Sequence, residues 1–293
     1  MTITQIQYFT TLARYLNFTK ASEKMYITQS ALSRQIAAIE KELNMQLFVR
    51  THHSVRLTPA GQSLYERLKN VYNEYKNALS DARAINEGYN QKINIGLLDG
   101  CRVGDFLAPA LKTFSEKHQN VSFQLFWHSF NGLVEGLYDG TLDLAITLYF
   151  DVKDKDNISC RVLEKSRDHL VVSSHHPLAG ETSICLADIK EDPFIIVDTD
   201  DSLISGELII ADCKRQGFYP KVMYSPSIHT SMLWIQAGLG VGILDTRNIL
   251  YETSVVKFLD IEPLSDPSLT LAWLRSNEDP VTAEFADMLV IPH

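Results

Sequence analysis

Gln29, Ser30, Ser33 and Arg34 are close neighbours whose spacing, if helical, puts them on one side of a segment. The other side carries Leu32, Ile36, Ile39 and Leu43 at i, i+4, i+7 and i+11, a continuous apolar stripe. The polar set suits recognition rather than catalysis. Gln fits a bidentate contact to adenine, Arg fits guanine, and Ser bonds to several base edges or to phosphate. Charge is distributed to match. Residues 1–61 hold seven Lys/Arg against three Glu, a net +4, although the whole chain carries −9 and the remainder therefore −13. Phosphate would repel so acidic a body, which leaves the basic head as the part able to approach nucleic acid.

Other chemistry finds little support. The sequence has no H-E-x-x-H pair, P-loop or G-x-S-x-G elbow. Cys101, Cys160, Cys185 and Cys213 are far apart and form no C-x-x-C pair, so zinc-finger spacing is absent. They read as reduced, partly buried thiols, with a redox pair such as Cys185 and Cys213 as the alternative. His175-His176 precedes a proline and reads as a turn. Gly238-Leu239-Gly240-Val241-Gly242 leads into a strand rather than joining a strand to a helix, so it is not read as dinucleotide-binding. The expectation is no enzyme, no metal and no cofactor. With no apolar run long enough to cross a bilayer and no signal-peptide layout at Met1–Gln5, a soluble cytoplasmic protein is expected.

Three short helices should position the polar set. The first runs from about Thr4 to Leu16, with Ile6, Phe9, Leu12, Ala13 and Leu16 on one face. The second follows Asn17-Phe18, with Thr19 as its cap and Ala21 and Met25 inward. The third starts near Thr28 and ends near Leu43. A helix over 19–25, a turn at 26–28 and a helix over 29–43 make a helix-turn-helix, whose second helix lies in the major groove. Spacing alone leaves open an ordinary amphipathic pair. Residues 47–61 then read as a short extended pair around a polar tip. Such a wing can bring Arg50, His53 and Arg56 to phosphates or the minor groove.

With the wing included, the chain resembles the LysR-type transcriptional regulators. The resemblance is carried by Phe9, Phe18, Thr19, Ala21, Gln29-Ser30-Ala31-Leu32-Ser33, Gln35-Ile36, Ile39-Glu40, Leu43, Leu47-Phe48, Arg50, Val55, Leu57-Thr58 and Ala60-Gly61. Asn44 stands where the family usually has Gly, and Asn is the next-best residue for a left-handed cap. His53 stands where the family usually has Arg, which weakens a phosphate contact near neutral pH. The DNA-contact set is Phe18, Thr19, Thr28, Gln29, Ser30, Ser33, Arg34, Arg50, His53 and Arg56.

Thr58-Pro59 opens a long helix to about residue 84, with Leu64, Leu68, Val71, Tyr72, Tyr75, Leu79 and Ala82 at helical spacing. Its stripe needs a partner. Packing against the body is one option. The resemblance implies pairing with a second copy, giving a homodimer and by extension a homotetramer on double-stranded promoter DNA. RNA polymerase is admitted as a further partner and a membrane is not. The expected domains are a winged helix-turn-helix at 1–58, a linker helix at 59–88 and an effector-binding domain at 89–293.

From Lys92 strands alternate with helices, an α/β pattern with mostly parallel strands. It suggests two lobes, about 92–163 with 269–293, and about 164–268. His176-Pro177-Leu178-Ala179, Asp192–Ile196 and Ala237–Ile243 resemble the LysR-type effector domain, which looks like a periplasmic solute-binding protein. A ligand would sit between the lobes, at strand C-termini. One lobe offers Asp99, Gly100, Cys101, Arg102, His128, Ser129, Phe130, Thr147 and Tyr149. The other offers Asp198, Ser202, His229 and Thr230. Arg102 would clamp a carboxylate, Asp99 would resist an anion or prefer a cationic group, or the two would form a solvated ion pair. A small carboxylate or amino-acid-like effector is expected. The alternatives are a redox-responsive regulator using cysteines and a cytoplasmic solute-binding protein without a DNA function.

Overall fold

The computed structural model describes residues 1–50, 54–86, 91–198, 202 and 204–290, with the backbone alone at 77, 80, 81 and 83–85. Contacts divide the chain into two compact units, Met1–Arg83 and Ala84–His293.

The first unit is a three-helix head. Helix α1 (Ile3–Tyr15) opens on a capping box in which the Thr2 hydroxyl accepts from Gln5 N and the Gln5 amide accepts from Thr2 N. Helix α2 (Phe18–Lys24) is capped by Asn17, whose Oδ1 accepts from Thr19 N and Lys20 N at 2.9 and 3.1 Å. Thr19 is therefore inside the helix and not its cap, because the preceding amide side chain already satisfies the free N–H groups. Helix α3 (Gln29–Leu43) is capped by Thr28 and ends on Asn44 in the left-handed conformation, so asparagine does serve where glycine is usual. Phe9, Leu12, Ala21, Leu32, Ile36 and Ile39 are fully buried in one core.

Strands β1 (Phe48–Arg50) and β2 (Val55–Leu57) pair antiparallel beside that core. Helix α4 (Pro59–Asn86) follows at once. Gly61 is required at its start, since a Cβ there would come within 2.1 Å of the Leu47 carbonyl oxygen. Leu64, Tyr65 and Leu68 close the head's core. Farther along, Val71, Tyr75 and Leu79 are exposed at i, i+4 and i+8.

The second unit holds two lobes. In the first, β3 (Gln91–Leu98) lies parallel to β4 (Val121–His128) and β5 (Leu144–Leu148). The sheet order β4-β3-β5-β12-β6 is completed by β6 (Ile158–Glu164) and β12 (Leu269–Leu274). Helices α5 (Gly104–Lys117) and α6 (Phe130–Tyr138), the short α7 (Tyr149–Val152) and the later α10 (Pro280–Met288) accompany it. Phe285 of α10 packs with Phe114 and Phe123, which binds the returning C-terminus into this lobe.

The second lobe is built on β7 (Asp168–Ser173), flanked by β10 (Gly242–Asp245) and β11 (Val256–Asp260). The parallel pair β8 (Pro193–Val197) and β9 (Lys221–Ser225) lies alongside, with α8 (Ser205–Arg215) and α9 (Ile228–Gln236). Pairing is mixed rather than mostly parallel. β12 is antiparallel to both β5 and β6, and β7 is antiparallel to both neighbours. The cause is the double crossing: the chain leaves the first lobe after β6 and re-enters it through β12. Gly238 takes a positive φ after α9, and Gly240 passes so close to Pro193 that a Cβ would lie 2.4 Å from its carbonyl oxygen. The glycine run is thus a tight helix-to-strand turn.

Candidate functional site

The head presents the outer side of α3. Gln29, Ser30 and Arg34 are exposed, while Leu32, Ile36 and Ile39 on the other side hold the helix in the core. The side chains of Gln29 and Arg34 make no hydrogen bond or ion pair with the described residues, which leaves a planar amide and a guanidinium with full bonding capacity. Ser30 shares a hydrogen bond with the Thr28 cap at 3.1 Å. Arg56 on β2 is likewise exposed and unpaired among the described residues.

Arg50 is differently placed. Its Nη2 donates to Glu40 Oε2 at 2.9 Å, its Nη1 reaches Ser33 Oγ at 3.4 Å, and its guanidinium lies 5.0 Å from the centre of the Phe18 ring. Glu40 Oε1 meanwhile accepts from Leu47 N and Phe48 N at 2.9 and 3.0 Å. Glu40 thus joins α3 to β1, and Arg50 and Phe18 brace that junction. His53, with Thr51 and His52, lies outside the described residues.

Between the lobes of the second unit is a cavity of about 110 Å³. The C-terminal ends of β3 and β5, the start of α6 after β4, the end of β8 and the starts of α8 and α9 all reach it, as the position of such sites in α/β folds requires. Asp99, Gly100, Cys101, Ser129 and Phe130 line it, so five of the sequence candidates do converge. Gly100 takes a φ of 76°, which turns the loop after β3 into the wall.

Arg102 does not border this cavity. Its guanidinium pairs with Glu252 and donates to the Thr246 carbonyl at 3.2 Å, on a separate surface groove. The backbone bond from Arg102 N to Arg247 O and the Glu252 partner hold it there, so it is not brought together with the candidates that line the cavity. His128, Thr147, Tyr149, Asp198, Ser202, His229 and Thr230 do not line the cavity either. Thr147 is fully buried in the sheet, where side chains alternate faces and its neighbour Leu148 points to the cavity. Ser202 Oγ accepts from Ser205 N at 3.1 Å, just ahead of α8, whose N-cap is Ile204. Thr230 bonds the Ser227 cap of α9, and Ile228 and Ser231 reach the wall in its place. His229 is mostly exposed, 4.0 Å from Asp99 Oδ1.

Sequence reasoning missed Asp168, Ser205, Asp245 and Ser265 on the wall. Asp245 ends β10, so the strand-end rule would have found it. Asp168 begins its strand, and no sequence signal marks it. The two aspartates are register partners across the β10–β7 ladder. Burial raises both carboxyls, Asp245 to about 6 despite its bond from Arg247 N at 2.7 Å, and Asp168 despite bonds from Leu264 N and from Ser265 N and Oγ. Burial also raises the Cys101 thiol, which keeps it protonated. No group of His, Cys, Asp and Glu among the described residues has metal-holding geometry.

Two family models divide the chain between them. One described as "LysR substrate binding domain" matches residues 86–290, and one described as "Bacterial regulatory helix-turn-helix protein, lysR family" matches residues 3–62. The chain belongs to the LysR family. It is a LysR-type transcriptional regulator with a helix-turn-helix head and an effector-binding domain. It is 30% identical over 99% of its length to the HTH-type transcriptional regulator YybE of Bacillus subtilis (strain 168), of which it covers 98%. The LysR-family regulator HinK of Pseudomonas aeruginosa has a solved structure that is similar at 26% identity, with a TM-score of 0.55 and 98% and 97% of the two chains covered. The full-length regulator CbnR, solved in complex with its target DNA, shares the fold at 18% identity and a TM-score of 0.59, over 99% of each chain. The LysR-type relatives are transcriptional regulators, and no helix among the described residues is long and apolar enough to cross a membrane.

Proposed function

We propose that this LysR-type regulator reads promoter DNA through α3 of its head and is controlled by a small molecule held between the lobes of its second unit. The observation that carries the reading is the pairing of a fully buried stripe on α3 with an opposite side bearing unpaired Gln29 and Arg34. Polar groups so free of internal partners are available to base edges. Thr28, Ser30 and Ser33 would add contacts to base edges or phosphates, and Thr19 and Arg56 to phosphates. Arg50 and Phe18 would act by fixing the wing against α3. The exposed Val71, Tyr75 and Leu79 on α4 would meet the same helix of a second copy, so that two heads face two half-sites. An effector changes the outcome only if it binds one arrangement of the assembly better than another.

The test is a fluorescence-anisotropy titration of the full-length protein on DNA from upstream of its own gene and on random duplex. Arg34→Ala should weaken the first by about 1–3 kcal/mol and the second far less. Equal losses on both would mean that Arg34 touches only phosphate. The redox alternative gains little from the thiols: Cys213 is fully buried and its thiol is pushed up to about 11, which makes it a poor nucleophile.

A further inference from the structure

The cavity between the lobes has walls of one sign. Asp99, Asp168 and Asp245 line it, and no Lys, Arg or His does among the described residues. The nearby cations are engaged elsewhere. Arg102 pairs with Glu252, and Arg247 pairs with Asp105 and Glu164. His229 is 4.0 Å from Asp99 Oδ1 and largely in solvent.

The three carboxylates are not equivalent. Asp168 is saturated by Leu264 N and by Ser265 N and Oγ. Asp99 accepts no hydrogen bond from the described residues, and Asp245 accepts from the Arg247 amide but from no side chain. Two carboxylates therefore retain acceptor capacity toward a ligand. An independent observation points the same way. Ser205 Oγ, on the same wall, is buried without any hydrogen-bond partner. A buried hydroxyl left so is costly, and a ligand atom would satisfy it. Most of the remaining wall is apolar, Phe130, Phe150, Ile195 and Leu208 included.

The helix starts at this cavity are too weak a counterweight to attract an anion. Each helix end is worth about half an elementary charge, against a full charge on each carboxylate. The starts of α6 and α9 are moreover already capped by the Ser129 and Ser227 hydroxyls. An entering carboxylate would lose its hydration and meet three like charges on the wall, with Arg102 and Arg247 near but off it and already paired to other carboxylates.

We infer that the cleft takes a cationic amine on a small apolar body, its charge neutralised by Asp99 and Asp245 and its polar edge bonded by Ser205. The inference deepens the reading of the cleft as the effector site, rests on it, and replaces the small carboxylate expected from the sequence.

The test is thermal-shift titration of the full-length protein at pH 7.5 with three probes of one shape: cyclohexylammonium, cyclohexanecarboxylate and cyclohexanol. The ammonium probe should raise Tm more than either other probe. Asp99→Asn and Asp245→Asn should each weaken its apparent binding about tenfold or more, the loss expected for a charge-assisted hydrogen bond. Ser205→Trp, which fills the cavity, should abolish it. A larger shift with the carboxylate, abolished by Ser205→Trp, would overturn the cationic class and leave the effector cleft standing. So would ammonium binding that both aspartate variants leave unchanged. A shift with none of the probes, or one that persists in Ser205→Trp, would overturn the cleft reading as well.

Discussion

At the scale of residues, Glu40 of the head and Asp151 of the second unit stand at opposite extremes of carboxylate use. Glu40 is fully employed: one oxygen takes two backbone amides and the other takes Arg50. Asp151, in contrast, is buried with Oδ2 unpartnered, and burial raises its carboxyl to about 6. The sign follows from linkage. The folded state holds this proton more tightly than the unfolded chain, so Asp151 costs stability as pH rises from about 4 through 6 and nothing below that range. Comparing melting curves of wild type and Asp151→Asn from pH 4 to 7.5 checks this. The Tm difference should move in the variant's favour as pH rises, and a constant difference would contradict it. The sequence showed the polar side of α3 because a helix face is local information. It did not show that Arg50 is tied to Glu40, or that Arg102 turns toward Glu252, because those partners are set by tertiary packing.

At the scale of elements, strong periodicity was legible and two strands with interleaved polar residues were not. The apolar stripes of α1, α3 and α4 placed those helices to within about two residues, the usual uncertainty of helix ends. β6 and β11 were missed. Each is an edge strand with a single neighbour, and their sequences, Ile158-Ser159-Cys160-Arg161-Val162-Leu163-Glu164 and Val256-Lys257-Phe258-Leu259-Asp260, interleave polar residues. Mostly parallel strands was the wrong expectation because the chain re-enters the first lobe through β12, antiparallel to β5 and β6, and because β7 runs antiparallel to β10 and β11. The exposed stripe of α4 carries the prediction at this scale. A charge at its centre would be desolvated in a helix pair, so Tyr75→Glu should shift sedimentation equilibrium of the full-length protein toward monomer. An unchanged mass distribution would move the dimer contact off α4.

At the scale of the molecule, the charge asymmetry seen in the sequence has a structural meaning. The basic segment lies within one compact unit, Met1–Arg83, and most of the acidic remainder forms the two-lobed unit. Which residues would border a ligand was only half legible. Strand ends supplied Asp99, Gly100 and Cys101, whereas Asp168, Ser205 and Ser265 enter through the chain crossings and the α8 start. The central claim is that α3 reads a defined DNA sequence, and hydroxyl-radical footprinting tests it most directly. Full-length protein on the DNA upstream of its gene should protect two half-sites about one helical turn or a multiple of it apart. Arg34→Ala should lose that protection at the same protein concentration. Absence of any protected site at low salt, or an identical footprint from Arg34→Ala, would contradict the account.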